Sequence, residues 1–300
     1  MYCKQFFKKK VVKMRILVTG GKGQLGLALQ EVLPEQESVF LTKNELDITE
    51  TEKVSQQIND VRPEIVIHTA AYTDVDNCEA NPDLAYRVNV LGTKNIALAC
   101  QKIKATCIFI SSDYVFDGKK KTPYQEEDSP HPLSVYGKTK WEGEKIVQRI
   151  PHFLIVRTAW LFGQGENFVQ KIIQLSQKRK ELKVVNDQIG CPTYALDLAH
   201  ALWKLILIYT GENQFPKNKK DIYHITNLGY CSWHDFAREI IKESRLQVKI
   251  SPISSLGWSK IKPKSAPRPS YSVLDGQKIA RLGIKMRPWQ QALKEYLSTL

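Results

Sequence analysis

Apolar residues in the first half of the chain fall into short β-branched runs, separated by stretches of helical periodicity. Residues 15–19 (RILVT) are such a run and pass directly into a glycine-rich turn, after which residues 24–33 repeat at helical spacing. Runs at 39–42, 65–68, 106–110 and 153–156 predict further buried strands. Residues 51–60, 85–102 and 136–149 predict intervening helices, the first of them closed by Pro63. Strands alternating with helices predict an α/β fold, a Rossmann-type doubly wound parallel sheet with ligands at the carboxyl ends of its strands. Beyond about residue 160 the rhythm loosens. Helices are predicted at 168–178, 196–208 and 232–244, the last opened by Ser232 as N-cap, and a strand at 222–226. Pro252, Pro263, Pro267 and Pro269 exclude a long helix or a central strand across their segment. The chain therefore divides into an extension, 1–13, expected to be poorly ordered; a dinucleotide-binding domain, 14–160, whose sheet later segments complete; and 161–300, mainly a smaller C-terminal substrate-binding lobe.

Composition narrows the class. The 300 residues, 42% apolar and 25% charged, suit one large or two modest globular domains. No apolar run approaches the roughly 18 residues that cross a membrane; the longest candidate, 199–209, is interrupted by His200 and Lys204. The six cysteines form no CxxC pair and no metal-ligand rhythm with histidine, which predicts reduced thiols in a cytoplasmic protein. Residues 1–13 do not read as a signal peptide, because their lysines follow the short apolar stretch and no small-residue cleavage site appears. Of the net charge of +13, five positive charges sit in residues 1–13 and the remaining +8 is spread along the chain. It fits either attraction of an anionic ligand such as a nucleotide diphosphate or a solvated basic surface, and no nucleic-acid-binding motif accompanies it. The histidines are scattered without a base or metal partner and take structural or surface roles.

The chemistry-bearing residues follow the glycine turn. Gly20, Gly23 and Gly26, with Gln24 and Leu25 between the last two, sit between a buried strand and a helix. Glycine there permits a tight turn and close approach of backbone to a pyrophosphate, which the helix N-terminus attracts. Where an acid at the end of the second strand would grip the 2′-hydroxyl of NAD, the chain reads Leu41-Thr42-Lys43. Lys43 can pair with a 2′-phosphate, which favours NADPH and leaves NADH open. Asp47 and Ile48 lie where a carboxylate and an amide can meet an adenine edge, or where an Asx turn simply precedes a helix. Ala70, Ala71, Tyr72 and Thr73 follow the third strand, where small residues let a cofactor pass. Asn89, polar within an apolar helix, bonds local backbone or holds a water relaying protons to Lys140. Ser111 and Ser112 end the next strand, and Tyr136 and Lys140 lie one helical turn apart on a single face. A lysine beside a phenol is expected to lower its pKa from about 10 toward a useful range, while Ser112 hydrogen-bonds the same substrate oxygen. That set suits hydride exchange with a carbonyl on a nicotinamide. The segments 187–193 and 268–272 are polar and turn-rich, and read as substrate contacts or as ordinary loops. Arg268 is the candidate for a phosphate.

The segments MRILVTGGKGQLG, SSDYVFDG, SVYGKTKWEGE, RTAWLFG, DQIGCPTYALDLA and RPSYSVLD together resemble the extended short-chain dehydrogenase/reductases, and among them the dTDP-4-dehydrorhamnose reductases, from residue 14 to about 275. The resemblance implies reduction of a dTDP-linked 4-keto-6-deoxy sugar by NADPH. Tyr136 would protonate the carbonyl oxygen, Lys140 would bind the nicotinamide ribose, and Ser112 would polarise the carbonyl. Tyr114 and Trp160 would line the sugar pocket, with Thr73, Val75, Asp76 and Asp113 on the substrate side. The family's magnesium-bridged dimer uses a glutamate shortly after the glycine loop. Leu25-Gly26-Leu27-Ala28-Leu29 carries no carboxylate there, which argues against Mg²⁺ and leaves monomer or homodimer open. Nucleotide-sugar dehydratases place Thr-Asp-Glu where this chain has Ser112-Asp113-Tyr114, so the eliminating base is missing. Two alternatives remain: a non-catalytic NADP-binding regulatory subunit of the methionine adenosyltransferase type, and a reductase of a related nucleotide 4-keto sugar.

Overall fold

The computed structural model describes residues 14–211 and 220–300; the extension expected at 1–13 lies outside them. Strand β1 (Ile16–Thr19) enters the glycine turn and helix α1 (Gln24–Val32), followed by β2 (Ser38–Leu41), α2 (Thr51–Val61) and β3 (Ile65–His68). Next come α3 (Val75–Ala80), α4 (Pro82–Tyr86), α5 (Thr93–Ile103), β4 (Thr106–Ser112), α6 (Val135–Val147) and β5 (Phe153–Thr158). The second half holds β6 (Leu161–Phe162), α7 (Phe168–Ser176), β7 (Glu181–Val185), β8 (Ile189–Gly190), β9 (Thr193–Tyr194) and α8 (Ala195–Thr210). It continues with β10 (Lys220–His224), β11 (Cys231–Ser232), α9 (Trp233–Glu243), β12 (Lys249–Ile253), α10 (Ser255–Ile261), α11 (Gln277–Arg281) and α12 (Trp289–Ser298).

The central sheet has the order β10-β5-β4-β3-β1-β2, and every neighbouring pair in it is parallel. This is the doubly wound fold the alternation predicts. Successive strand residues serve opposite faces, as period-two side chains must. Ile16 and Val18 join α1 and α8 in one core, and Leu17 joins α2 and α5 in the other. The strand order reverses beside β1, between β2 and β3, and such a switch point opens a crevice at the strands' carboxyl ends. The later half contributes β10 and α8 to this sheet layer. A separate core of Phe162, Ile172, Leu182, Phe236, Leu293 and Tyr296 holds the remaining segments together.

One expectation changes and another holds. The helix predicted at 85–102 is α4 and α5 joined by a π turn over Arg87–Gly92. Gly92 lies against Ile48, where a Cβ would stand 2.7 Å from Ile48 Cδ1, and the Thr93 hydroxyl takes the Asn89 carbonyl at 2.6 Å. The extra residue turns Asn89 inward, which simple helical periodicity does not anticipate. The proline segment contains β12, paired with β7 in a two-stranded sheet. That edge position tolerates Pro252, because no further ladder needs its missing donor.

Candidate active site

A cleft of about 740 Å³ opens at the switch point. Gly20, Gly23, Gln24, Leu25, Lys43, Asp47, Ile48, Ala70, Ala71, Tyr72 and Thr73 line it on the side of β1 to β3. Val75, Ser111, Ser112, Asp113, Tyr114, Tyr136, Lys140 and Trp160 line the rest, so most of the residues singled out in the sequence converge there.

Gly20 adopts φ +73°, and a Cβ on it would come within 2.9 Å of the Ala70 backbone. Gly26 does not line the cleft. A Cβ there would stand 2.3 Å from the Gly20 carbonyl oxygen, so this glycine lets α1 close onto the turn. Gly23 caps α1 without any side-chain hydrogen bond, which leaves the helix's first amides to a ligand. Gln24 donates to the Glu166 carbonyl at 3.1 Å, while its Oε1 is buried without a partner. Thr158, at the end of β5 beside Ser112, also turns a buried, unpartnered hydroxyl oxygen into the cleft wall. An anion cradle flanked by orphaned polar atoms fits a bound dinucleotide. Asp47 accepts from the Thr49 N–H at 2.9 Å and its hydroxyl at 2.8 Å, which holds the carboxyl below its usual range. It is thus an Asx turn before α2 and a wall of the cleft at once.

Ser112 ends β4, and Ser134 caps α6 through the Gly137 N–H, which sets Tyr136 and Lys140 facing that strand end. Gly137 permits the approach: a Cβ there would stand 2.2 Å from the Tyr114 carbonyl. The Tyr136 ring meets Tyr114 edge-on at 5.9 Å, and Lys140 Nζ lies 4.1 Å over the Phe109 ring. The pKa pattern corrects the sequence expectation. Burial raises the Tyr136 phenol above its ordinary value against a hydrogen bond from Ser112, and the nearby Asp113 carboxyl adds to the rise. Burial also lowers Lys140 to about 7, with Glu144 working the other way. Desolvation is the largest cause of both shifts and disfavours both charged forms. The phenol is therefore held protonated, the state a proton donor needs.

Beneath this group Arg157 and Glu144 form a buried bidentate pair at 2.9 and 2.7 Å. The Ser111 hydroxyl donates to the same carboxylate at 2.5 Å, so Ser111 orients the floor of the site. Removing one partner of a buried pair costs about 3–5 kcal/mol, which makes this a rigid support. On the cofactor side His68 is held neutral by burial, its pKa lowered to about 3, and it bridges Thr19 at 2.8 Å and Thr93 at 3.2 Å.

Besides Gly26, three candidates stand outside the cleft wall: Asn89, Asp76 and Arg268. Asn89 uses its amide on the Tyr72 N–H at 2.7 Å, the Tyr72 carbonyl at 3.0 Å and the Thr139 hydroxyl at 3.0 Å. It pins the loop after β3 to α6. Asp76 and Arg268 pair with each other at 2.8 Å. Burial alone would raise Asp76, but Lys262, the Ala266 N–H and Arg268 outweigh it and hold the carboxyl at about 2. Arg268 thus ties the C-terminal segment to α3. The segment 187–193 also lies behind the wall. A Cβ on Gly190 would stand 2.4 Å from Trp160, and the Thr193 N–H bonds the Trp160 carbonyl at 3.1 Å. Trp160, at φ +45°, is stacked on Trp233 with ring centres 3.5 Å apart. Sequence reading missed Trp233, Lys22 and Thr158, which also line the cleft. For Trp233 no local motif exists, since its stacking partner is distant in the chain.

The geometry agrees with comparison to known proteins. Residues 14–300 match the RmlD substrate binding domain family. The chain belongs to that family. Its similarity to individual RmlD-type proteins extends nearly end to end. It is 40% identical to the spore coat polysaccharide biosynthesis protein SpsK of Bacillus subtilis (strain 168), over 94% of this chain and 96% of that protein. It is 40% identical to dTDP-4-dehydrorhamnose reductase of Aggregatibacter actinomycetemcomitans, over 93% and 97%. A crystal structure of dTDP-4-dehydrorhamnose reductase from Bacillus anthracis str. Ames in complex with NADP superposes with a TM-score of 0.87 at 38% identity, covering 96% of this chain and 100% of that one. Membership makes the chain an oxidoreductase of the nucleotide-sugar type.

Proposed function

We propose that the protein reduces the C4 keto group of dTDP-4-dehydro-β-L-rhamnose with NADPH, giving dTDP-L-rhamnose. The observation that carries this reading is the meeting of Ser112, Tyr136 and Lys140 with the glycine turn in one cleft. Gly20, Gly23, Gln24 and Leu25 would hold the pyrophosphate, Lys43 the 2′-phosphate, and Lys140 the nicotinamide ribose. NADPH supplies the hydride when bound. Ser112 hydrogen-bonds the substrate carbonyl and draws its electrons toward oxygen. Tyr136, held protonated by its surroundings, delivers the proton to that oxygen. Tyr114, Trp160 and Trp233 would present rings to the sugar face.

Mixing the protein with NADPH and dTDP-4-dehydrorhamnose tests the reading. Nicotinamide absorbance is expected to fall only when the sugar is present. Tight NADPH binding without sugar-dependent oxidation would overturn it.

A further inference from the structure

Asp113 lies in the cleft wall, 2% exposed, and among the described residues it enters no ion pair. Its Oδ1 accepts from the Ser112 hydroxyl at 3.0 Å and its Oδ2 from the Ser272 hydroxyl at 2.6 Å. The groups facing it are Tyr136 from α6, Tyr114 from its own turn, Cys191 from the segment between β8 and β9, and Ser272 from the C-terminal segment. Burial pushes its carboxyl up to about 7, with the two serine hydroxyls pulling it back down.

Ser112 has one hydroxyl proton and two claims on it. It bonds Asp113 Oδ1, and it also faces the Tyr136 oxygen across the same cleft wall, where a bond from Ser112 favours the phenolate. Its remaining capacity accepts the Tyr114 N–H at 3.2 Å. A single proton cannot be donated in both directions. With Asp113 ionised, the Ser112 proton is drawn to the carboxylate, and Ser112 offers nothing to a carbonyl. With Asp113 neutral, its own O–H can donate to Ser112 Oγ, and the Ser112 proton then points at the reacting oxygen.

We infer that Asp113 is a positioning residue whose proton sets the direction of the Ser112 hydroxyl and, through it, refills Tyr136 after each reduction. The inference rests on the reductase reading. After Tyr136 has given its proton away, the Asp113 O–H bond breaks as a new O–H bond forms on Ser112 Oγ. The original Ser112 O–H bond breaks as one forms on the Tyr136 oxygen. The negative charge moves from phenolate to carboxylate, and no electrons pass to any other group. A carboxylate is the weaker base, so the transfer runs downhill. Asp113 takes its next proton from bulk water once product has left the cleft.

The test is kcat/KM, which reads the direction of Ser112, together with kcat, which also reads the refilling of Tyr136, for reduction of the keto sugar across pH 5.5–9, with NADPH binding measured alongside by fluorescence. Wild type is expected to be most active where Asp113 is protonated and to lose activity above about pH 7. Lys140 titrates in the same range, so two variants separate them. Ser272→Ala removes a hydrogen bond that favours the carboxylate, and should move the falling limb to higher pH. Asp113→Asn should lower kcat/KM by at least about tenfold and abolish that limb, while NADPH still binds. An infrared band of a protonated carboxyl group should titrate near pH 7 and vanish in Asp113→Asn, independently of turnover. An Asp113→Asn profile superimposable on wild type, or no such band, overturns the inference. A titrating band in a protein that never oxidises NADPH overturns the reductase reading instead, and the relay with it.

Discussion

The wall of the cleft beside α1 is made of backbone and small residues, Gly20, Gly23, Ala70 and Ala71, whereas the opposite wall is made of the rings of Tyr114, Tyr136, Trp160 and Trp233. The first wall is assembled from one turn and an adjacent strand end, tied by the contact of Gly20 with Ala70. The second draws on segments far apart in the chain, brought together by the stack of Trp160 on Trp233 and by the Asp76–Arg268 pair behind it. The difference follows from the ligands. A pyrophosphate is held by amides and a helix terminus, which any sequence provides once side chains are cleared away. A sugar must be held by ring faces and hydroxyls, and those have to be imported.

Damage to the two walls should therefore separate. Gly26→Ala places a Cβ 2.3 Å from the Gly20 oxygen and must shift the turn. Overpacking of about 1–3 kcal/mol corresponds to NADPH affinity weakened between about 5- and 150-fold, read by fluorescence titration. An affinity within twofold of wild type would show that the first wall does not depend on close packing. Trp233→Ala removes the stack under Trp160, and the loss of about 0.5–1.5 kcal/mol should raise KM for the sugar about 2- to 10-fold with NADPH affinity unchanged. A weakened NADPH affinity would mean that the walls are not independent. Lys43→Ala should have the smallest effect, lowering the NADPH-over-NADH preference about 1.5- to 5-fold, as expected for one solvent-exposed charge. No change in that ratio would place the 2′-phosphate elsewhere.

The same contrast explains what was legible in the sequence. The strand–turn–helix around Gly20 to Gly26 and the Tyr136–Lys140 spacing are local patterns, and local patterns survive being read one residue after another. Asn89 stood out as polar among apolar neighbours, but its partners Tyr72 and Thr139 are visible only once the π turn points it inward. Segment 187–193 announced itself by composition, yet it supports Trp160 from behind instead of lining the cleft, because Gly190 and Thr193 pack against that ring and its backbone. Arg268, by its sequence a candidate for a phosphate, pairs with Asp76. The direction of the Tyr136 shift escapes the sequence for a related reason: a neighbouring lysine can be read from spacing, whereas the desolvation that sets the direction is a property of the folded site.

Single-site replacement of Tyr136 by Phe tests the central claim most directly, because it removes the proton and leaves the ring against Tyr114. Turnover of NADPH with the keto sugar is predicted to fall on the order of 10²- to 10⁴-fold while NADPH affinity stays at the wild-type value. A Tyr136→Phe enzyme that binds NADPH normally and turns over within a few-fold of wild type would contradict the account.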